Sequence, residues 1–228
     1  MVTNPEATES ASRTGRSKHL RRLRRGLLVA AVVVLAGGGL YAYQRLVRLN
    51  FGVVVPGEVY RSAQPNARSL ERWHEEHGIR TCVNLRGVGT RVIYGVELET
   101  NYRLGVRQVD IPMAAGRLPR DRELRRLIEI IETAERPILL HCAGGADRTG
   151  LASVVAAMAI GGADFETARE QFTFRHLHID RPDRIDDVLD FYEAWCREQG
   201  LDTGGWERFR HWAMEVYEYE PPPKTAGD

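Results

Sequence analysis

The sequence predicts an α/β fold: a central, mostly parallel sheet flanked by helices, preceded by an N-terminal transmembrane helix. Three observations carry this. Short apolar runs alternate with amphipathic helical periods from about residue 50 to residue 163, the pattern of a parallel sheet covered on both faces. A Gly-rich loop sits between one such run, Ile138 to Leu140, and a small-residue helical stretch from Gly150 to about Ile160. Leu27 to Tyr43 contains no charged residue, which is near the lower limit for a membrane span.

Taken in order, residues 1–25 are polar and basic. They carry seven Lys or Arg against two Glu, leaving 25 basic and 29 acidic residues in the remainder. Residues 1–19 have no apolar period and read as disordered. The domain that follows has a slight acidic excess, so no nucleic-acid-binding face is implied. The basic flank is heavier before the apolar segment than after it, where Arg45 and Arg48 stand alone. The positive-inside rule then predicts a cytoplasmic N-terminus and an extracytoplasmic domain. A signal anchor over residues 26–45 is the expectation; a cleaved signal peptide lacks a good small-residue site at the end of the run. A soluble helix is disfavoured by Gly37, Gly38 and Gly39.

Residues 46–220 then form the domain, with a tail over 221–228. Asn50 to Gln64 reads as two short strands around Pro56-Gly57. Ala67 to His77 is a helix stopped by Gly78, and Ile79 to Leu85 a buried strand. Residues 92–103 form a helix, Val106 to Met113 a strand, and Pro119 to Glu135 a helix. The apolar face of that last helix is Leu124, Leu127, Ile128 and Ile131, the spacing of a core-facing stripe. Three further helices are expected over Asp164–His176, Pro182–Gln199 and Trp206–Tyr219. In the second, Ile185, Val188, Leu189, Tyr192 and Trp195 share one face.

The three cysteines, Cys82, Cys142 and Cys196, form no C-x-x-C pair. Neither a disulfide framework nor a zinc site is expected. Cys82 reads as a small core residue. Cys142 differs, because it enters a loop whose next helix points its N-terminus back at it. Five residues separate it from Arg148. A loop of that length can curl its N–H groups inward around an anion. Gly144 and Gly145 allow close approach of the backbone. Arg148 suits bidentate contact with a phosphoryl group. Arg148 and the helix N-terminus favour a thiolate at Cys142, and Thr149 can donate its hydroxyl to the sulfur. A cradle for a tetrahedral dianion with a sulfur nucleophile at its floor points to phosphate-ester hydrolysis. His141 can orient the loop through its ring nitrogens.

The run His141-Cys142-Ala143-Gly144-Gly145-Ala146-Asp147-Arg148-Thr149-Gly150 resembles the signature loop of the cysteine-dependent protein tyrosine and dual-specificity phosphatases. VVPGEVYRSAQP and VNLRG resemble bacterial members of that superfamily. The resemblance implies a phosphocysteine at Cys142, phosphate binding by Arg148 and the loop, no metal and no cofactor. It also implies a phosphorylated protein, above all a phosphotyrosine protein, as substrate. Relatives acting on phosphoinositides tend to carry loop lysines, whereas Ala143 and Ala146 stand here; the anchor keeps a lipid substrate open, as does a weakly catalytic phosphoprotein-binding module. Many family members take a general acid from the loop occupied here by MAAGRLPRD, where Ala114 and Ala115 stand instead. Asp147, Asp121 and Asp110 are therefore the candidates, in that order, for protonating the leaving oxygen. Arg61, Arg86 and Arg91 read as pocket-lining or simply solvated. Arg86 is the best placed of them, at the C-terminal end of a strand where α/β sites gather.

Overall fold

The computed structural model describes residues 5–43, 48–89, 92–176, 178 and 184–220. The expectations for Arg45, Arg91, Pro182 and the tail over 221–228 lie outside the described residues. The chain divides into two units, residues 1–47 and 48–228.

The first unit is a single helix, α1, over Pro5–Ala42. It runs through the basic segment that the composition assigns to disorder. Its Ala, Glu and Arg are helix formers, so once the apolar segment is helical, extension costs little. Arg24–Ala42 is long and apolar enough to cross a membrane.

In the second unit, five strands form one sheet in the order β1-β2-β5-β3-β4. They are β1 Gly52–Val55, β2 Val59–Ser62, β3 Thr81–Asn84, β4 Arg107–Asp110 and β5 Ile138–His141. β1 and β2 are an antiparallel hairpin. All other pairings are parallel, with β5 in the middle between β2 and β3. The central strand is therefore the one that delivers Cys142.

Alternation along β5 sends its side chains to two cores. Ile138 and Leu140 join α4 (Asp121–Thr133) and α5 (Asp147–Ala159), and Leu139 joins α2 (Ala67–His77) beneath Trp73 and Leu70. Cys82 lies fully buried on the second face, as expected of a core residue. α2 matches its expected bounds because both ends are signalled locally. Asn66 and Ser69 form a reciprocal capping box, and Gly78 closes the helix at φ 66°. α3 spans Val92–Leu104.

Several boundaries differ from expectation. β4 ends at Asp110 because Pro112 cannot extend a ladder. α4 begins at Asp121, after Pro119, with Glu123 accepting the backbone N–H of Arg120 at 3.0 Å. α5 begins at Asp147, so the last four residues of the signature run, Asp147 to Gly150, form its first turn. The helix expected over Asp164–His176 is split into α6, Phe165–Arg169, and one 3-10 turn, Phe174–His176. Between them Gln171 gives its carbonyl to Arg61 at 2.8 Å, a tertiary bond that draws the chain off the helical path. α7 runs Asp187–Glu198, and α8 runs Trp206–His211 before a π turn over Trp212–Val216. Ile185, Val188, Leu189 and Tyr192 are buried as their spacing requires.

Candidate active site

Cys142 follows β5 directly and is buried in the floor of the loop. The N–H of Gly145 donates to its sulfur at 3.2 Å. Burial alone pushes the thiol up; the charge of Arg148 and hydrogen bonds from Thr149 and Gly145 outweigh it, and the thiol lies below its ordinary value. The Thr149 hydroxyl is buried and bonds no other group. This is the electropositive setting that favours a thiolate.

Inward N–H groups require outward carbonyls, and these are held from behind. Arg61 donates to the Gly145 carbonyl at 2.9 Å, and Asn50 donates to that of Gly144 at 3.0 Å. Gln64 N–H reaches the Ala143 carbonyl at 3.4 Å. Gly145 has φ +69°, and a Cβ there would lie 2.6 Å from Ala63 N. Only glycine combines that backbone with that clearance.

Arg61 corrects an expectation. It is neither solvated nor pocket-lining but fully buried under the loop. Burial depresses its guanidinium to about 10, with the Cys142 charge acting in the opposite direction.

Arg148 stands in the first turn of α5. One of its terminal nitrogens donates to the carbonyls of Met113 and Leu85, at 3.2 and 3.4 Å. Its Nε is buried and bonds nothing. The carbonyl tethers fix the guanidinium plane beside the sulfur it acts on.

His141 is completely buried. Its Nε2 lies 2.8 Å from Oε1 of Glu97, itself 1% exposed. Glu97 also accepts from Gln108 at 2.8 Å and from Gln64. Gln64 in turn accepts from Arg86. Glu97 went unnoticed in the sequence, because no periodicity marks a carboxylate on α3 as partner to a histidine on β5. Cys82, Glu97 and His141 bring a sulfur, an oxygen and a nitrogen within 4.8 Å of one another, a geometry open to a metal ion. The histidine and carboxylate already bond each other, however. Burial, then the Glu97 charge, pushes the Cys82 thiol up.

The three candidate acids sit in different surroundings. Asp110 accepts from Asn84 and from the Tyr94 hydroxyl, both at 2.8 Å. Asp121, in the first turn of α4, is about one-third exposed and meets Arg125 only at 3.9 Å. Asp147 pairs with Nδ1 of His178 at 3.1 Å, and that ring's Nε2 lies 3.2 Å from Asp186. His178 first of all, with Arg184 and Arg148 adding to it, holds the Asp147 carboxyl below its ordinary value against partial burial.

Of the remaining residues of the signature run, Ala143 and Ala146 lie in the loop and Gly150 in the first turn of α5. A Cβ on Gly150 would meet the Phe172 ring at 2.4 Å. Arg86 borders a cavity of about 340 Å³ that Asn84, Val88, Ile93 and Tyr94 also line.

Among known proteins, the chain is similar to the dual specificity protein phosphatase TpbA of Pseudomonas aeruginosa strain UCBPP-PA14, at 31% identity over 115 residues. That match covers 50% of this chain and 49% of the relative, so the chain spans about half the length of the curated relatives it matches. The crystal structure of a Cys-to-Ser variant of P. aeruginosa TpbA with phosphotyrosine superposes with a TM-score of 0.51 at 25% identity. It covers 75% of this chain and 93% of that one. The catalytic core of the PP-IP phosphatase SIW14 from S. cerevisiae, with citrate, has a TM-score of 0.52 at 18% identity over 66% of this chain and 93% of its own; it bears on the fold alone. The family model described as "DSP-PTPase phosphatase fused to NAD+ Kinase" matches residues 56–183, more than half of the sequence and all of the signature loop, and the chain belongs to that phosphatase family.

Proposed function

We propose that this protein is a phosphomonoesterase that uses Cys142 as nucleophile, with phosphotyrosine-type esters as substrates. The observation that carries the reading is the sulfur of Cys142. It accepts the Gly145 N–H at 3.2 Å and lies beside Arg148 and Thr149, which lower its thiol despite full burial.

The thiolate attacks phosphorus; the S–P bond forms as the P–O bond to the leaving group breaks. Arg148 and the loop N–H groups take up the charge that spreads over the equatorial oxygens. Water then attacks the phosphocysteine, the S–P bond breaks, and inorganic phosphate leaves. Thr149 steadies the departing sulfur.

The two proton transfers ask for opposite forms of a carboxyl. Asp147, held ionised by His178, is in the form that accepts a proton from the attacking water. The same pairing opposes its protonation, which donation to the leaving oxygen requires. Asp121 is the less constrained carboxyl for that step. Asp110 is occupied by Asn84 and Tyr94.

Phosphotyrosine as substrate is supported by the TpbA complex named above and by the absence of lysine in the loop. Arg86 contributes through its cavity, beside the apolar Val88 and Ile93. The apolar segment of α1 tethers the enzyme to a membrane, with its N-terminus cytoplasmic and the domain on the other side. A reporter active only in the cytoplasm, fused to the C-terminus and giving full signal, would overturn that orientation.

The test is turnover of aryl phosphates by the full chain in detergent. Wild type is expected to hydrolyse them and Cys142→Ser to lose all activity; activity surviving that change sinks the mechanism. Asp121→Asn is expected to slow only esters with poor leaving groups. Asp147→Asn is expected to slow good and poor ones alike, with a burst of leaving group as phosphocysteine accumulates. Equal rates for wild type and Asp147→Asn would remove Asp147 from the reaction.

A further inference from the structure

His178 lies 30 residues beyond Arg148 in the sequence, outside the signature run. Its ring is 8% exposed and bonds a carboxylate at each nitrogen, Asp147 at 3.1 Å and Asp186 at 3.2 Å. Asp147 opens α5, and Asp186 directly precedes α7. Phe172 meets the ring edge-to-face at 4.7 Å. The same phenyl group covers Gly150, where no side chain fits.

We propose that His178 is a positioning residue for phosphate binding: by bridging Asp147 and Asp186 it locks the first turn of α5, and with it Arg148, in place. The inference rests on the phosphatase reading, in which Arg148 holds the phosphoryl group. It goes further by placing control of that arginine in a bridge beyond the loop.

The chemistry of imidazole makes the bridge depend on pH. Only the cation carries N–H groups on both nitrogens. A neutral ring presents a lone pair to one of the two carboxylates, and one bond is lost. Asp147 and then Asp186, acting against burial, raise the ring to about 9. The other charges near it are Arg184 and Arg148 beside Asp147, and Arg169, Asp187 and Asp190, which with His178 and Asp186 line a cavity of about 180 Å³. The bridge is therefore complete at neutral pH and opens as pH rises through about 9.

Binding of inorganic phosphate to the full chain in detergent tests this without requiring turnover. Inorganic phosphate is predominantly the dianion from pH 8 to pH 10, so its own charge changes little. Wild-type affinity is expected to fall about tenfold from pH 8 to pH 10, the loss of one charge-assisted bond. His178→Gln keeps a donor but does not titrate. It is expected to bind more weakly at pH 8 and to show no alkaline fall. His178→Ala is expected to bind at least about tenfold more weakly at pH 8. Should that variant not fold, Asp186→Asn removes one arm of the bridge and is expected to weaken binding while shifting the alkaline limb to lower pH. A wild-type affinity flat from pH 8 to 10, or an alkaline fall persisting in His178→Gln, overturns the proposal. Failure of the phosphatase reading shows separately, as wild type that binds phosphate but does not turn over aryl phosphates.

Discussion

The Glu97 carboxylate sits 2.8 Å from the ring of His141, the residue before Cys142, and both are buried. Through this contact α3 reaches the end of β5, where the signature run begins. Removing one partner of a buried pair leaves the other without compensation. Glu97→Ala is expected to destabilise the domain by about 3–5 kcal/mol, read as a lower denaturation midpoint in urea. Glu97→Gln, which can still bond the ring, should lose less. Equal stability of Glu97→Ala and wild type would deny the pair its role.

The same carboxylate gives stability a defined acid limb. Burial pushes Glu97 up, but hydrogen bonds from His141, Gln108 and Gln64 and the His141 interaction bring it below 4.5 overall. A group depressed by folding stabilises the protein fully above its unfolded value and loses that contribution as pH falls through its folded value. Wild-type stability is therefore expected to drop below about pH 4.5 by more than that of Glu97→Gln. Parallel pH curves for the two proteins would contradict this.

Thiol reactivity follows from Arg148. Its charge opposes the burial that would otherwise raise Cys142. Alkylation of Cys142 by iodoacetamide is expected to proceed at pH values where an ordinary thiol, near 8.5, is mostly protonated. Arg148→Ala should move that reaction to higher pH and cut turnover by roughly 10²–10³-fold or more. Arg148→Lys should keep much of the thiolate effect and still lose turnover, because an ammonium cannot grip two phosphoryl oxygens in one plane.

Behind the loop, Arg61 donates to Gly145 and Gln171 from a fully buried position. Truncation leaves both carbonyls unpaired, at about 1–3 kcal/mol each. Arg61→Ala is expected to lower stability and turnover together, measured by denaturation and by aryl phosphate hydrolysis. Unchanged turnover in a folded Arg61→Ala protein would show that the carbonyls hold without it.

At Gly145 the constraint is steric. A side chain at φ +69° is strained, and its Cβ would press on the backbone of Ser62 and Ala63. Gly145→Ala is expected to cost at least about 1–3 kcal/mol and to abolish turnover by displacing the N–H that bonds the sulfur. Wild-type activity in this variant would mean that the loop can re-form around a larger residue.

How much of this was legible in advance depends on the range of the interactions. The order of strands and helices was readable, because each element announces itself within a few residues: the capping box at Asn66, Gly78 closing α2, the apolar stripe of α4. Boundaries moved where a neighbour in space intervened, as at Gln171, drawn out of a helix by Arg61. Arg61 itself has the sequence context of an exposed strand residue. Nothing local shows that the loop carbonyls lie above it.

Sequence alone therefore determined the layout of the Cys142 loop. Cys142, Gly145, Arg148 and Thr149 lie within eight residues, and their spacing specifies a strand, a turn and a helix N-terminus around an anion. The tertiary structure alone decided what holds that loop. Glu97 under His141, Arg61 behind Gly145 and His178 against Asp147 are all partners distant in sequence. Polar contacts of that range leave no periodic trace along a chain. They exist only once the sheet has set β2, β5 and β3 side by side and the helices have closed over them.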